Sequence, residues 1–228
     1  MKRILIIGAS RGLGLALAEG LPEPGDRVWR VSRTQSRPAP GEWIQADLRR
    51  PREAADALAA AVGDTPLDAL IYNAGIWEQG PFDETPEQDL IDIVNVNLTS
   101  LLLCLRRLAP NLRSASSAHV ILIGSTCGLE NEGSSGVAYV ATKFGVRGVA
   151  HGARALFRRD GIGVTCISPG SIATDVEYAA GRESALERHK GQRMPVHDIV
   201  TLIRWIFQTS GGACPKEIQL PSQYDTDV

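Results

Sequence analysis

The first fourteen residues constrain this chain more than any others. Arg3 to Ile7 is a short apolar run, and Gly8-Ala9-Ser10-Arg11-Gly12-Leu13-Gly14 follows directly, ahead of a helical apolar pattern reaching Leu21. A short run that is apolar throughout predicts a buried parallel strand. A glycine-rich turn from such a strand into a helix lets backbone approach a pyrophosphate. The helix start adds unpaired N–H groups and the positive end of its dipole. The spacing here is G-x-x-x-G-x-G, not the commoner G-x-G-x-x-G. By itself the turn also fits tight packing alone.

Strand and helix signals then alternate along the chain. A second strand, Arg27 to Val31, ends in Ser32-Arg33-Thr34. A Pro-rich loop (Arg37–Gly41) precedes a third strand, Trp43 to Ala46, which ends at Asp47-Leu48. Pro51 to Val62 reads as an Ala-rich helix with Pro in its first turn. A fourth strand, Asp68 to Tyr72, closes on Asn73-Ala74-Gly75. Thr85-Pro86-Glu87 opens one long helix, Thr85 capping it, with an apolar stripe of Leu90, Val94, Leu98, Leu101, Leu105 and Leu108. Asn97 lies in that stripe, where a buried amide needs partners. His119 to Ile123 forms a fifth strand that delivers Gly124-Ser125-Thr126. Gly163 to Ser168 forms a sixth, ending in Pro169-Gly170-Ser171-Ile172-Ala173-Thr174. Val176 to Arg193 is charged and weakly periodic, which predicts a mobile helix-loop lying over the site. A last helix, Pro195 to Thr209, turns Val196, Ile199, Val200, Ile203 and Ile206 inward, and Glu217 to Leu220 reads as an edge strand. The fold class implied is α/β: a doubly wound parallel sheet of about seven strands with helices on both faces, a Rossmann-type three-layer sandwich. Residues 1–228 form a single domain, with 176–193 as a lid within it.

The chemistry concentrates in Ser134 to Gly148, SSGVAYVATKFGVRG, where Tyr139 and Lys143 stand four residues apart. On a helix that spacing puts both on one face. A phenol beside an ammonium is an acid/base pair, and the cation is expected to lower the phenol's pKa. The plain alternative is a surface tyrosine above a solvated lysine. Ala141, Gly145, Gly148 and Gly152 give the same helix a small-residue face. It suggests close approach of the chain's own sheet or of a partner subunit.

A dinucleotide fold that takes NAD carries a carboxylate near the end of its second strand, on the ribose 2′-hydroxyl. Here that place, about eighteen residues after Gly14, falls on Ser32 with no acid nearby. Arg33 and Arg11 stand there instead. Two guanidiniums converging on that ribose suit a 2′-phosphate, which predicts NADP(H) in preference to NAD(H).

A net charge of −2 makes no electrostatic case for nucleic acid or an anionic membrane. Cys104, Cys127, Cys166 and Cys214 match no zinc spacing, so they read as reduced and mostly structural, and no metal is implied. The apolar start is too short for a secretory segment, and no apolar stretch is expected to span a membrane, so the chain reads as cytoplasmic.

Taken in order, these residues resemble the short-chain dehydrogenase/reductase family, in its shorter single-domain form, over nearly the whole chain. Gly8, Gly12 and Gly14 match its glycine motif, with Ile7 in place of the usual Thr. Asp47 matches its adenine-side Asp, Asn73-Ala74-Gly75 its N-A-G element and Asn97 its catalytic Asn. Ser125, Tyr139 and Lys143 match its catalytic Ser and Y-x-x-x-K, and Pro169-Gly170 with Thr174 match the P-G-x-x-x-T that grips the nicotinamide. Thr126 is spaced as acceptably as Ser125. Ser125 is preferred because Gly128 then falls where the family has a Gly.

The resemblance implies hydride transfer between nicotinamide and a carbonyl or secondary alcohol. Asn97, Ser125, Tyr139 and Lys143 would be catalytic, Asn97 by bending its helix and holding a relay water. The cofactor would lie on Gly8, Ser10, Arg11, Gly12, Leu13, Gly14, Ser32, Arg33, Thr34, Asp47, Leu48, Asn73, Ala74, Gly75, Tyr139, Lys143, Pro169, Gly170, Ile172 and Thr174. The resemblance also implies a homodimer or homotetramer built through the Pro86–Leu108 and Tyr139–Phe157 helices. Cys127, Glu130, Asn131, Glu132, Ile172 and Val176 are expected to line the substrate pocket. The chain lacks the family's glycine-rich end after the last strand. A non-catalytic NADP(H)-binding regulator on the same fold is the alternative.

Overall fold

The computed structural model describes residues 1–35, 38–129 and 136–224. Seven strands, β1 (Arg3–Ile7), β2 (Arg27–Ser32), β3 (Glu42–Gln45), β4 (Ala69–Tyr72), β5 (His119–Ile123), β6 (Gly163–Pro169) and β7 (Glu217–Leu220), form one sheet. All its pairings are parallel, in the order β3-β2-β1-β4-β5-β6-β7. Continuous apolar runs such as RILII make this possible, because alternate side chains bury on opposite faces. Leu5 and Ile7 join one core cluster, Ile4 and Ile6 the other.

Helices α2 (Pro51–Val62), α4 (Ser100–Arg113) and α5 (Val137–Phe157) cover the first face, α1 (Gly12–Gly20) and α7 (Val196–Gln208) the second. The five residues of α7 expected inward are all buried. Chain order reverses between β1 and β4, so a crevice opens at their carboxyl ends, the usual ligand position in open α/β sheets.

The segment expected as one helix from Pro86 is two, joined by a π turn. After α3 (Glu87–Val94), Asn95–Thr99 is π-helical, with the Ser100 N–H donating to the Asn95 carbonyl, before α4 begins. A π turn carries one extra residue and rotates the downstream helix by about 100° relative to the upstream one. The apolar stripe therefore breaks: Val94 is 41 % exposed whereas Leu101, Leu105 and Leu108 are buried. Nor does Thr85 cap α3. Pro86 holds the cap position and the Thr85 hydroxyl donates to the Pro81 carbonyl.

Contrary to the sequence expectation, Glu87–Arg113 is long and apolar enough to span a membrane by length and composition. In the fold it is amphipathic: Leu101, Cys104, Leu108 and Leu112 pack inward, while Arg106 and Arg107 are exposed.

Residues 176–193, expected as a lid, hold a short turn, Tyr178–Ala180, and a helix, α6 (Arg182–His189). Their contacts reach α7 and α1. Tyr178 stacks on His197 at 4.4 Å, Arg182 pairs with Asp198 at 3.0 Å, and a Cβ on Gly20 would lie 2.6 Å from the Tyr178 ring.

Candidate active site

Two turns meet at the switch point. The N–H groups of Gly8 and Ala9 both donate to the Val31 carbonyl, and those of Asn73 and Ala74 to that of Ile7. The Asn73 side chain donates to the Gly8 carbonyl at 2.8 Å. Gly8 has φ +89°, and an added Cβ would sit 2.6 Å from the Ala74 backbone. At Gly14 an added Cβ would fall 1.9 Å from the Gly8 carbonyl oxygen. Gly8 is therefore fixed by conformation and by contact, Gly14 by contact.

The start of α1, at the crevice, has no acidic residue in its first turn and no side-chain cap on its leading N–H groups. That suits a dinucleotide pyrophosphate. Thr174, after β6, packs on Gly12, closing the same end. Ile172 pairs with Met194, which ties the 170–174 loop to the end of the 176–193 segment.

At the carboxyl end of β5, Ser125 and a 3-10 turn (Thr126–Gly128) pack against α5. A Cβ on Gly128 would come within 2.8 Å of the Lys143 backbone. Ser125 stands close enough to the Tyr139 phenol to pull its pKa down and accepts from the Cys127 N–H at 3.2 Å, whereas Thr126 lies buried in the turn. Lys143 is 4 % exposed, donates to the Ile123 carbonyl at 3.0 Å, and holds its Nζ 5.4 Å from the Tyr139 ring centroid. Gly75 lies alongside: a Cβ there would be 3.5 Å from Nζ and 3.8 Å from Asn97 Oδ1.

Within the π turn the Asn97 amide has protein partners. It donates to the Ile76 carbonyl (2.8 Å) and the Thr142 hydroxyl (3.0 Å), and accepts from the Ile76 N–H (2.9 Å). Of the expected pocket residues, Cys127 is half-buried at the turn. Glu130, Asn131 and Glu132 lie outside the described residues.

The electrostatics reverse one expectation. Burial raises the Tyr139 pKa above the ordinary phenol value, and the nearby Ser125 hydroxyl only partly offsets this. It is Lys143 that shifts down, to about 8, because burial penalises its charged form. Desolvation of both groups therefore outweighs the phenolate stabilisation that spacing alone suggested.

The β2–β3 end is different in character. Ser32 is taken up locally, donating to the Thr34 carbonyl and accepting from the Trp43 indole N–H. Arg11 and Arg33 are both exposed. Arg49, not anticipated from the sequence, pairs with Asp47 at 2.6 Å and holds its carboxyl below the usual range. Arg33 adds to that effect from nearby.

The outer face of α5 is open. Gly145 abuts Leu98, but a Cβ on Gly148 or Gly152 would meet nothing within 4 Å. The chain's own sheet is not what these two glycines accommodate.

Crevice and glycine turn together define a dinucleotide-binding α/β protein. Within that class, a profile for short chain dehydrogenases matches residues 2–184, and the chain belongs to that family of nicotinamide-dependent oxidoreductases. It is 30% identical over 193 residues to the 3-oxoacyl-[acyl-carrier-protein] reductase FabG of Vibrio cholerae, covering 80% of this chain and 78% of that one. Among solved structures, a short-chain dehydrogenase from Streptomyces avermitilis superposes with a TM-score of 0.79 at 27% identity, covering 96% and 87% of the two chains. A short chain dehydrogenase family protein from Francisella tularensis gives 0.82 at 19% identity over 98% of both, a likeness of fold.

Proposed function

We propose that the chain is an NADP(H)-dependent reductase of a carbonyl substrate, with Tyr139 as general acid. The observation that supports this reading is a buried Lys143 with its Nζ 5.4 Å from the Tyr139 ring centroid, at the carboxyl end of β5 where buried Ser125 stands near the phenol. When bound, the reduced nicotinamide supplies the hydride. Tyr139 gives its phenolic proton to the substrate oxygen, a role that its raised pKa suits in the reductive direction. Ser125 donates to the same oxygen and stabilises its developing charge. Lys143 holds the nicotinamide ribose and, as a cation, stabilises the phenolate left behind. Asn97 fixes the backbone beside Nζ, where water returns the proton. The glycine turn from Gly8 to Gly14 holds the pyrophosphate, and Asn73 to Gly75, Pro169, Gly170, Ile172 and Thr174 hold the nicotinamide half.

The reductase names of the curated relatives support the direction and make a 3-oxo ester a reasonable first probe. Arg11 and Arg33 support the 2′-phosphate. Residues 176–193 act as the substrate lid, and the four free thiols fit a reducing cytoplasmic setting. Apolar Leu102 and Leu156, with Gly148 and Gly152, line a groove of about 700 Å³ between α4 and α5, which supports a homo-oligomer formed through these helices. Light scattering showing a monomer would refute that assembly.

The test of the chemistry is Tyr139→Phe, assayed with NADPH and ethyl acetoacetate. It is expected to keep NADPH affinity and to lose turnover by about 10²- to 10⁴-fold. Full retained activity would remove Tyr139 from the mechanism.

A further inference from the structure

The helix that carries Tyr139 has no cap of its own. Its N-cap residue is Gly136, which offers no side-chain acceptor. The leading N–H groups of a helix need one. Here they are met by Glu78, sixty residues earlier in the chain and only 8 % exposed. Its Oε1 accepts from the Ala138 N–H at 2.6 Å, and the two carboxylate oxygens accept from the Tyr139 N–H at 3.4 and 3.3 Å. A carboxylate suits this place because the helix start carries the positive end of the dipole.

The loop that bears Glu78 is itself held. At Ile76 both backbone groups bond the Asn97 amide, and Trp77 sets its ring edge-on to Tyr139, with centroids 6.3 Å apart. Asn97 also donates to Thr142, whose hydroxyl donates to the Tyr139 carbonyl at 2.8 Å. The backbone of Tyr139 is thus gripped on its N–H side by Glu78 and on its C=O side by Thr142.

We infer that Glu78 is a positioning residue for the reaction: through the first turn of α5 it sets where the Tyr139 phenol stands against Ser125. The inference rests on the assignment of Tyr139 as the acid. Glu78 touches the helix backbone and not the reacting atoms, so its effect belongs in kcat and in local order. A displacement of the acid by a fraction of an ångström to one ångström is costly to rate even when binding survives.

The experiment compares the full-length chain with Glu78→Ala and Glu78→Gln, each saturated with NADPH. Hydrogen exchange is read on the peptide spanning residues 137–143 and on the far end of α5, and turnover of ethyl acetoacetate is read alongside. Glu78→Ala should exchange about tenfold faster at Ala138 and Tyr139, with residues 150–157 unchanged, and should lose about tenfold in kcat at nearly constant KM. Glu78→Gln, which keeps an acceptor oxygen, should restore most of both.

Unchanged exchange in the first turn of Glu78→Ala would overturn the inference. So would faster exchange with kcat intact, which would leave Glu78 a stabilising cap only. If Tyr139→Phe is fully active, or the wild-type chain is inert towards the probe, the underlying reading of the chemistry fails and the positioning role falls with it. The exchange data would still show whether Glu78 orders the helix.

Discussion

The two ends of the crevice are built on opposite principles. At the β5–α5 end the charged and polar groups are dry: Asn97 is 1 % exposed, Lys143 4 % and Ser125 9 %. Their partners are backbone groups and, for Asn97, the Thr142 hydroxyl. At the β2–β3 end the charges stand in water, with side-chain exposures of 42 % for Arg49 and 28 % for Asp47. A proton transfer gains most from donors preset in a desolvated place. Discrimination by a 2′-phosphate needs only a guanidinium fork within reach, which can sit at the surface. The first end should therefore fail steeply when perturbed, and the second by degrees.

The largest effect should come where the crevice joins the glycine turn. Gly14→Ala would drive a methyl to 1.9 Å from the Gly8 carbonyl oxygen, and backbone cannot move aside as a flexible side chain would. Overpacking of this kind costs about 3 kcal/mol or more, and a loss of that size lowers Tm by roughly 10 °C in a chain of this length. NADPH should give the variant no protection in a thermal melt. A variant that melts like the wild type and is still stabilised by NADPH would break the account of the cradle.

A steep pH response should follow from Lys143. Its cation is present below about 8 and lost above it, while Tyr139 keeps its proton throughout that range because burial raises its pKa. The value of kcat/KM for reduction, which reports the free enzyme, should fall about tenfold per pH unit above 8. Stability should move the other way. The unfolded lysine, near its ordinary value of about 10.4, still binds its proton between pH 8 and 10, so the unfolded state holds more protons there. This group's contribution to stability therefore rises with pH across the same window. Opposite slopes of rate and melting temperature would identify a buried lysine. A rate flat to pH 10 would place the titrating group elsewhere.

The same contrast explains what was legible in the sequence. Strands such as Arg3–Ile7, the glycine turn and the Tyr139–Lys143 spacing are local patterns, and local pattern set them in place. The π turn at Asn95–Thr99 was not legible in the apolar period, which reads straight through one inserted residue; only the resemblance implied a bend at Asn97. Glu78 was not legible either: its partner amides begin sixty residues later, and no spacing rule connects them. The direction of the Tyr139 shift depended on burial, which a four-residue spacing does not report. Arg49 stands only two residues after Asp47, but that spacing does not by itself say that the two side chains pair.

At the exposed end, Arg33→Asp should lower NADPH affinity about tenfold or more, the worth of one charge-assisted pair, while NADH is held or improved. The measurement is the pair of dissociation constants at low and at physiological salt. The difference should narrow as salt rises, because these groups lie within reach of screening ions. An equal loss for both cofactors would mean that Arg33 supports the fold of the β2 end and does not read the ribose.

Arg49→Ala is the matching control and should do least. The Asp47–Arg49 pair is well formed at 2.6 Å, but both partners are partly solvated, and exposed pairs of this sort contribute at most about 1 kcal/mol. Arg49 is four-tenths exposed, its Nε and Nη2 donate to Asp47 and its Nη1 faces Asp92 at 4.0 Å, so its charge is already paired with carboxylates. Its removal should change affinity for NADPH and NADH by the same factor, less than about threefold, which corresponds to under 1 kcal/mol. A parallel shift after Arg49→Ala, set against a split after Arg33→Asp, would assign cofactor choice to one of two neighbouring guanidiniums. A split produced by Arg49→Ala would instead show the Asp47 pair opening to meet the phosphate, and the exposed end would then be a rearranging site and not a preset one.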